Sequence, residues 1–193
     1  MQKFPLECFY IIKRFTHHNK IKDTLLSEIN KSEYESLHEK KAEVDISKCD
    51  WHVSTNYNRD WFLSIKDMLF SDMLEMYADV GYDGFTLQEI WFQQYNKNSQ
   101  HGWHTHSSNF TNVYYLELPK NSSRTQIVSP YDQSTIIELD VSEGDIVSFP
   151  SFVVHKGPRN NADTRKTIIS YNTNVTYSDK IYGKNIGADN AFL

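Results

Sequence analysis

Eight histidines are the residues of this chain best equipped for chemistry, and three of them fall in Gln100-His101-Gly102-Trp103-His104-Thr105-His106. A neutral imidazole offers one lone pair to a metal ion. Side chains alternate faces along a strand, so a strand here would point His104 and His106 the same way. At about 7 Å apart, both could reach one ion. His101 has the opposite parity if the strand extends that far, which makes it the weakest ligand candidate of the three. A solvent-facing or mutually hydrogen-bonded pair has the same spacing, so the motif alone does not assign a metal.

A fourth histidine, His155, closes the segment Glu143-Gly144-Asp145-Ile146-Val147-Ser148-Phe149-Pro150-Ser151-Phe152-Val153-Val154. In isolation it reads as a core histidine with a bonded ring nitrogen. Ten residues later Arg165 opens the run Arg165-Lys166-Thr167-Ile168-Ile169-Ser170-Tyr171. Arg165 and Thr167 share a strand face by the same period of two. A guanidinium and a hydroxyl on one face form a carboxylate clamp, because arginine donates two parallel hydrogen bonds.

Taken together, these pieces resemble a known family. The order is His104-x-His106, Tyr114-Tyr115-Leu116, Gly144-Asp145-Ile146 with Phe149-Pro150-Ser151, His155, then Arg165-x-Thr167 followed by Ile169-Ser170-Tyr171-Asn172. It is similar to the Fe(II)- and 2-oxoglutarate-dependent oxygenases, in particular small microbial and phage members related to prolyl 4-hydroxylases. The resemblance runs from about Leu87 to Val175.

The resemblance implies a double-stranded β-helix, a cupin-like jelly roll with its site at the open mouth. It implies Fe(II) as cofactor on His104 and His155, with 2-oxoglutarate and O2 as co-reactants. Arg165, with Thr167 beside it, would hold the distal carboxylate of 2-oxoglutarate. Tyr115 would donate its hydroxyl to the same carboxylate, and Tyr95 would form an aromatic wall of that pocket. The implied reaction is hydroxylation, in which 2-oxoglutarate decarboxylation is coupled to substrate C–H oxidation. His106 stands where most of the superfamily has a carboxylate. Either it completes a metal site of His104, His106 and His155, one charge more positive than usual, or it leaves a coordination position open. Trp91, Trp103, Tyr95 and Phe149 would keep water from the centre, while Tyr171 and Asn172 read as structural. Two alternatives remain: a three-histidine cupin-type metalloenzyme that does not use 2-oxoglutarate, and a non-catalytic metal- or 2-oxoglutarate-binding jelly roll. The Arg165–Thr167 clamp speaks against the first, and the clustered His104-x-His106 with an inward-facing arginine speaks against the second.

The elements that must position these residues can be read from periodicity. Ile21, Leu25, Leu26 and Ile29 recur at helical spacing, and Trp61, Ile65, Met68, Leu69, Met73 and Met76 form a second stripe that Asp60 would cap. Between them, Ser32–Asn58 reads as charged and irregular, with a short strand at Trp51–Ser54. Strands are expected at Phe85–Tyr95, Asn109–Glu117, Arg124–Val128, Thr135–Leu139, Asp145–Phe149, Val153–Lys156 and Arg165–Val175, separated by turn residues. The predicted fold is mainly β behind an N-terminal helical layer. It forms one domain over 1–193, with helices to about 80, a jelly-roll core over about 85–177 and a polar tail over 178–193.

Composition sets the outer bounds. The chain has 193 residues, 20 Lys and Arg against 25 Asp and Glu, and a net charge of −5. That disfavours nucleic acid held through broad phosphate neutralisation. No apolar run is long enough to span a bilayer, and Met1–Phe15 does not read as a signal peptide. The expected location is therefore the cytoplasm, with Cys8 and Cys49 as reduced thiols. The substrate, small molecule or peptide, and the oligomeric state are not encoded in any readable motif. The segments placed to choose a substrate are Lys40–Arg59, Asn96–Gly102 and Ser178–Leu193.

Overall fold

The computed structural model describes residues 8–177, so the expected tail 178–193 lies outside the described residues. Two helices form on the expected stripes. In α1 (His18–Lys31) the buried residues are His18, Ile21, Leu25 and Ile29, one face of a helix. In α2 (Asp60–Asp79) they include Trp61, Ile65, Leu69, Met73 and Met76. Asp60 does not cap α2. Arg59 holds the N-cap position without a side-chain cap bond, because its guanidinium is drawn to the buried Asp50 carboxylate and to the Ile90 carbonyl at 2.6 Å. Asp60 instead sits in the first turn, where its charge opposes the positive helix end.

Among the described residues, eleven strands make two antiparallel sheets. They are β1 (Ile11–Arg14), β2 (Glu35–Glu39), β3 (Val44–Cys49), β4 (Tyr82–Tyr95), β5 (His101–His104), β6 (Phe110–Glu117), β7 (Gln126–Val128), β8 (Ile136–Glu138), β9 (Asp145–Pro150), β10 (His155–Gly157) and β11 (Lys166–Tyr177). The larger sheet runs β1-β9-β6-β11-β4-β3-β2 and the smaller β5-β10-β7-β8. The segment expected to be irregular, Ser32–Asn58, therefore contributes a hairpin, β2–β3, to the edge of the larger sheet. Its strands are half exposed, so charged residues interleave with Leu37, Val44 and Ile46 and blur the alternation. Trp51–Val53 is a 3₁₀ turn and not a short strand.

The long central strands separate two cores. On β11, Ile169 and Tyr171 face the helices with Phe92 and Tyr114, and join the core built on α1 and α2. Ile168 faces the smaller sheet, in a second core with Trp91, Tyr95, Val113, Tyr115 and Phe149. Two sheets packed face to face behind a helical layer give the double-stranded β-helix, and the space between the sheets is where a site forms. Among the described residues, no helix is long and apolar enough to cross a membrane.

Candidate metal and cosubstrate site

Three histidines converge between the sheets. His104 ends β5 and pairs directly with His155, the first residue of β10. Their ring centroids are 4.2 Å apart, and His106 lies 5.1 Å from each. One ligand atom from each of the three falls within 4.8 Å of the others, a set that could hold a metal ion. The route to this cluster differs from the alternation argument. The strand stops at His104, and His106 follows in irregular backbone where its N–H donates to the Ser151 carbonyl at 3.0 Å. His101 stacks on His104 with centroids 3.9 Å apart, outside the ligand set.

The backbone prepares two of the rings. His104 Nδ1 lies 2.7 Å from the Gly102 carbonyl, and His155 Nδ1 lies 2.9 Å from the Val153 carbonyl. A carbonyl only accepts, so each Nδ1 carries the proton and each Nε2 keeps its lone pair. Burial holds all these imidazoles neutral. His155 lies well below its ordinary pKa, His104 is lowered, His106 is pushed down to about 4 and His101 to about 3. Phe149 meets His155 edge-on at 4.8 Å, and Trp91 stacks on His106 at 5.8 Å.

A narrow inner cavity of about 30 Å³ touches the histidines and is walled by Trp91, Gln93, Tyr95, Thr125, Ile168 and Ser170. Outside it opens a groove of about 630 Å³, lined by Leu37, Val44, Ile46, Trp51 and Trp91 with the histidines at its base. The β2–β3 hairpin thus supplies one wall of the groove. Part of the expected Lys40–Arg59 selector forms that wall. Trp103 does not contribute, being turned outward under Lys156 Nζ, 4.4 Å from its ring.

The Arg165–Thr167 clamp exists, but the carboxylate it holds belongs to this chain. Arg165 Nε and Nη2 donate to Glu117 at 2.9 and 3.1 Å, and Nη1 donates to Asn30 Oδ1 at 3.0 Å. Thr167 Oγ1 donates to the same Glu117. Both residues share the strand face of Ile169 and Tyr171, toward the helices, so neither reaches the histidines. The intervening Lys166 takes the inward parity, opposite Tyr95. It is only 2% exposed. Its Nζ donates to the Ser123 carbonyl at 3.1 Å and lies 4.5 Å from the Tyr95 ring centroid. Burial pushes its pKa down to about 8, with no acidic side chain among the described residues to offset it.

Tyr95 lines the cavity as expected of a wall, its hydroxyl donating to Gln93 Oε1 at 3.0 Å. Tyr115 faces inward but is fully buried, and its hydroxyl donates to Thr125 Oγ1 at 2.7 Å. Asn172, read from sequence as structural, touches His106 Nδ1 at 3.2 Å and donates to Glu89 at 3.0 Å. Lys166 and Glu89 carry no motif of their own. For Lys166 a signal was available: Ile169 and Tyr171 mark the core face of β11, which puts Arg165 with them and Lys166 opposite.

With the sheets and the histidine cluster described, the fold is that of the 2-oxoglutarate–Fe(II) oxygenases. Solved structures of that class are similar to this chain at low sequence identity. A 2OG-Fe(II) oxygenase family oxidoreductase from Burkholderia pseudomallei superposes with a TM-score of 0.66 at 12% identity, over 86% of this chain and 85% of that one. A Pseudomonas putida prolyl-4-hydroxylase gives 0.57 at 12% identity, over 89% and 94%. The viral collagen prolyl hydroxylase of Paramecium Bursaria Chlorella virus-1 gives 0.55 at 12% identity, over 86% and 95%. No protein-family model matches the sequence, and no curated protein matches it either.

Proposed function

We propose that this chain is a non-haem Fe(II)- and 2-oxoglutarate-dependent oxygenase that hydroxylates a substrate held in the outer groove. The observation that carries the proposal is a buried lysine, held by a carbonyl and an aromatic ring, in the same inter-sheet layer as a neutral histidine cluster. The donor set suits the metal, since His104 and His155 keep Nε2 lone pairs that their carbonyl partners fix in place. Lys166 suits the distal carboxylate of 2-oxoglutarate. An ammonium in a dry layer gains most from an anion that enters with it, and the Tyr95 ring lies 4.5 Å from that ammonium.

Bound Fe(II) and 2-oxoglutarate would supply the reaction of O2 that yields succinate, CO2 and a hydroxylated substrate. The chain's own part is positional. Lys166 anchors the cosubstrate, Trp91 and Tyr95 exclude water, and the β2–β3 hairpin forms a mainly apolar wall for the substrate. A three-histidine cupin-type centre would share the histidines but has no use for Lys166.

Thermal unfolding under anaerobic conditions tests the proposal. Fe(II) or Co(II) should raise Tm, and 2-oxoglutarate should raise it further only when metal is present, because ligands that bind the native state stabilise it. No response to 2-oxoglutarate in metal-loaded protein would overturn the proposal.

A further inference from the structure

A neutral imidazole has one N–H and one lone pair, so the partner of one nitrogen decides what the other can do. For His104 and His155 that partner is a carbonyl oxygen, and the lone pair falls on Nε2. His106 is placed differently. One end of the Asn172 side-chain amide lies 3.2 Å from His106 Nδ1 and 3.0 Å from Glu89 Oε2.

Glu89 identifies that end. A carboxylate accepts hydrogen bonds, so the group facing it is the NH2 and not the oxygen. The other Glu89 oxygen accepts from Ser54 Oγ at 3.2 Å, which fits an acceptor on both sides. The amide oxygen is turned to Thr111 Oγ1, a hydroxyl able to donate, at 3.4 Å. An NH2 group has two hydrogens, one for Glu89 and one for His106 Nδ1. Nδ1 therefore accepts, and the ring proton sits on Nε2. Neither nitrogen of His106 has a lone pair left for a metal.

We propose that Glu89, acting through Asn172, holds His106 as a hydrogen-bond donor beside a metal carried by His104 and His155, and not as a third ligand. The inference rests on the oxygenase reading for the metal, but the tautomer stands on hydrogen bonding alone. Asn172 and Glu89 are positioning residues in this scheme. The donor they create, His106 Nε2–H, suits an anionic group bound next to the metal. Replacing Glu89 by Gln removes the constraint. The Gln amide can donate to a flipped Asn172 oxygen, which can then accept from His106 Nδ1–H and free Nε2 for the metal.

Two measurements on the full-length chain decide the matter. Long-range ¹⁵N–¹H correlation spectra of the metal-free protein at neutral pH should show the proton on Nδ1 for His104 and His155 and on Nε2 for His106. In Glu89→Gln the His106 proton should move to Nδ1. In anaerobic Co(II) titrations, His104→Ala and His155→Ala should lose the metal, whereas His106→Ala should keep its stoichiometry and affinity. Glu89→Gln should bind Co(II) about 10-fold more tightly, a gain of the size second partners give, and Glu89→Gln/His106→Ala should lose that gain. An Nδ1–H signal for His106 in the wild type would overturn the inference, as would loss of Co(II) in His106→Ala as severe as in His104→Ala. Failure of the wild type to bind any Co(II) would instead contradict the oxygenase reading, and the tautomer would still be read from the spectra.

Discussion

Lys166 keeps an ammonium group in a layer where its recorded partners are a carbonyl and an aromatic ring. Such a charge is costly to the fold unless an anion joins it. Lys166→Met, of similar length and apolar, should therefore raise stability by about 1–2 kcal/mol, read by urea unfolding, while removing the 2-oxoglutarate response. The pH dependence follows in sign. A lysine lowered from 10.5 to about 8 binds its proton less readily folded than unfolded. Wild-type stability should rise with pH between about 8 and 10.5, and Lys166→Met should lack that rise. Arg165→Ala should behave in the opposite way, because it strips a half-buried carboxylate, Glu117, of its paired donors. It should cost about 1–3 kcal/mol and leave 2-oxoglutarate affinity unchanged; a selective loss of 2-oxoglutarate would restore Arg165 to the site. The clamp chemistry was legible in the sequence, but its client was not, since Glu117 lies 48 positions away and only sheet register brings it opposite Thr167.

Between elements, the tightest coupling is at Gly102. A methyl group there would lie 2.1 Å from the Ala42 carbonyl oxygen in the β2–β3 turn, a backbone atom that cannot swing aside. Gly102 also accepts from His104 Nδ1, and two residues before it Gln100 exchanges two backbone bonds with Asp45, at 2.9 and 2.8 Å. The hairpin that walls the groove is thus seated on the residue that orients the His104 ring. Gly102→Ala should displace the hairpin, cost about 1–3 kcal/mol and weaken Co(II) binding. Unchanged stability and affinity would show that the contact is soft. Strands with a clean apolar period, such as β4, β6, β9 and β11, could be read directly. The hairpin could not, because its half-exposed strands, β2 at the sheet edge and β3 beside it, admit Glu35, Asp45 and Lys48 among their apolar residues. Its absence from the sequence reading hid half of the groove.

At the level of the molecule, four histidines are held neutral between and beside the sheets, His155 buried and His101, His104 and His106 half-buried, and the unfolded chain would expose them fully to water. Their pKa values are depressed in the fold, so the unfolded state takes up more protons as pH falls. Stability of the metal-free protein should be full above about pH 6.5 and decline toward pH 4, with His106 and His101 protonating in the fold only near 4 and 3. Saturating metal should raise the upper part of that curve without changing its slope, because the folded histidines are unprotonated there with or without metal. A metal-free protein equally stable at pH 7 and pH 4.5 would show that the histidines are not buried as described. The jelly-roll architecture was within reach of strand spacing, whereas His155 joined His104 and His106 only through the family resemblance, because by itself it reads as a core histidine. The choice between Arg165 and Lys166 depended on which face of one strand meets the helices.

The most direct test of the proposed chemistry is anaerobic calorimetric titration of 2-oxoglutarate into Co(II)-loaded wild type, Lys166→Met and Arg165→Ala. The account predicts saturable binding by the wild type and by Arg165→Ala, and none by Lys166→Met despite its retained metal. Equal binding by all three, or no binding by the wild type, would contradict it.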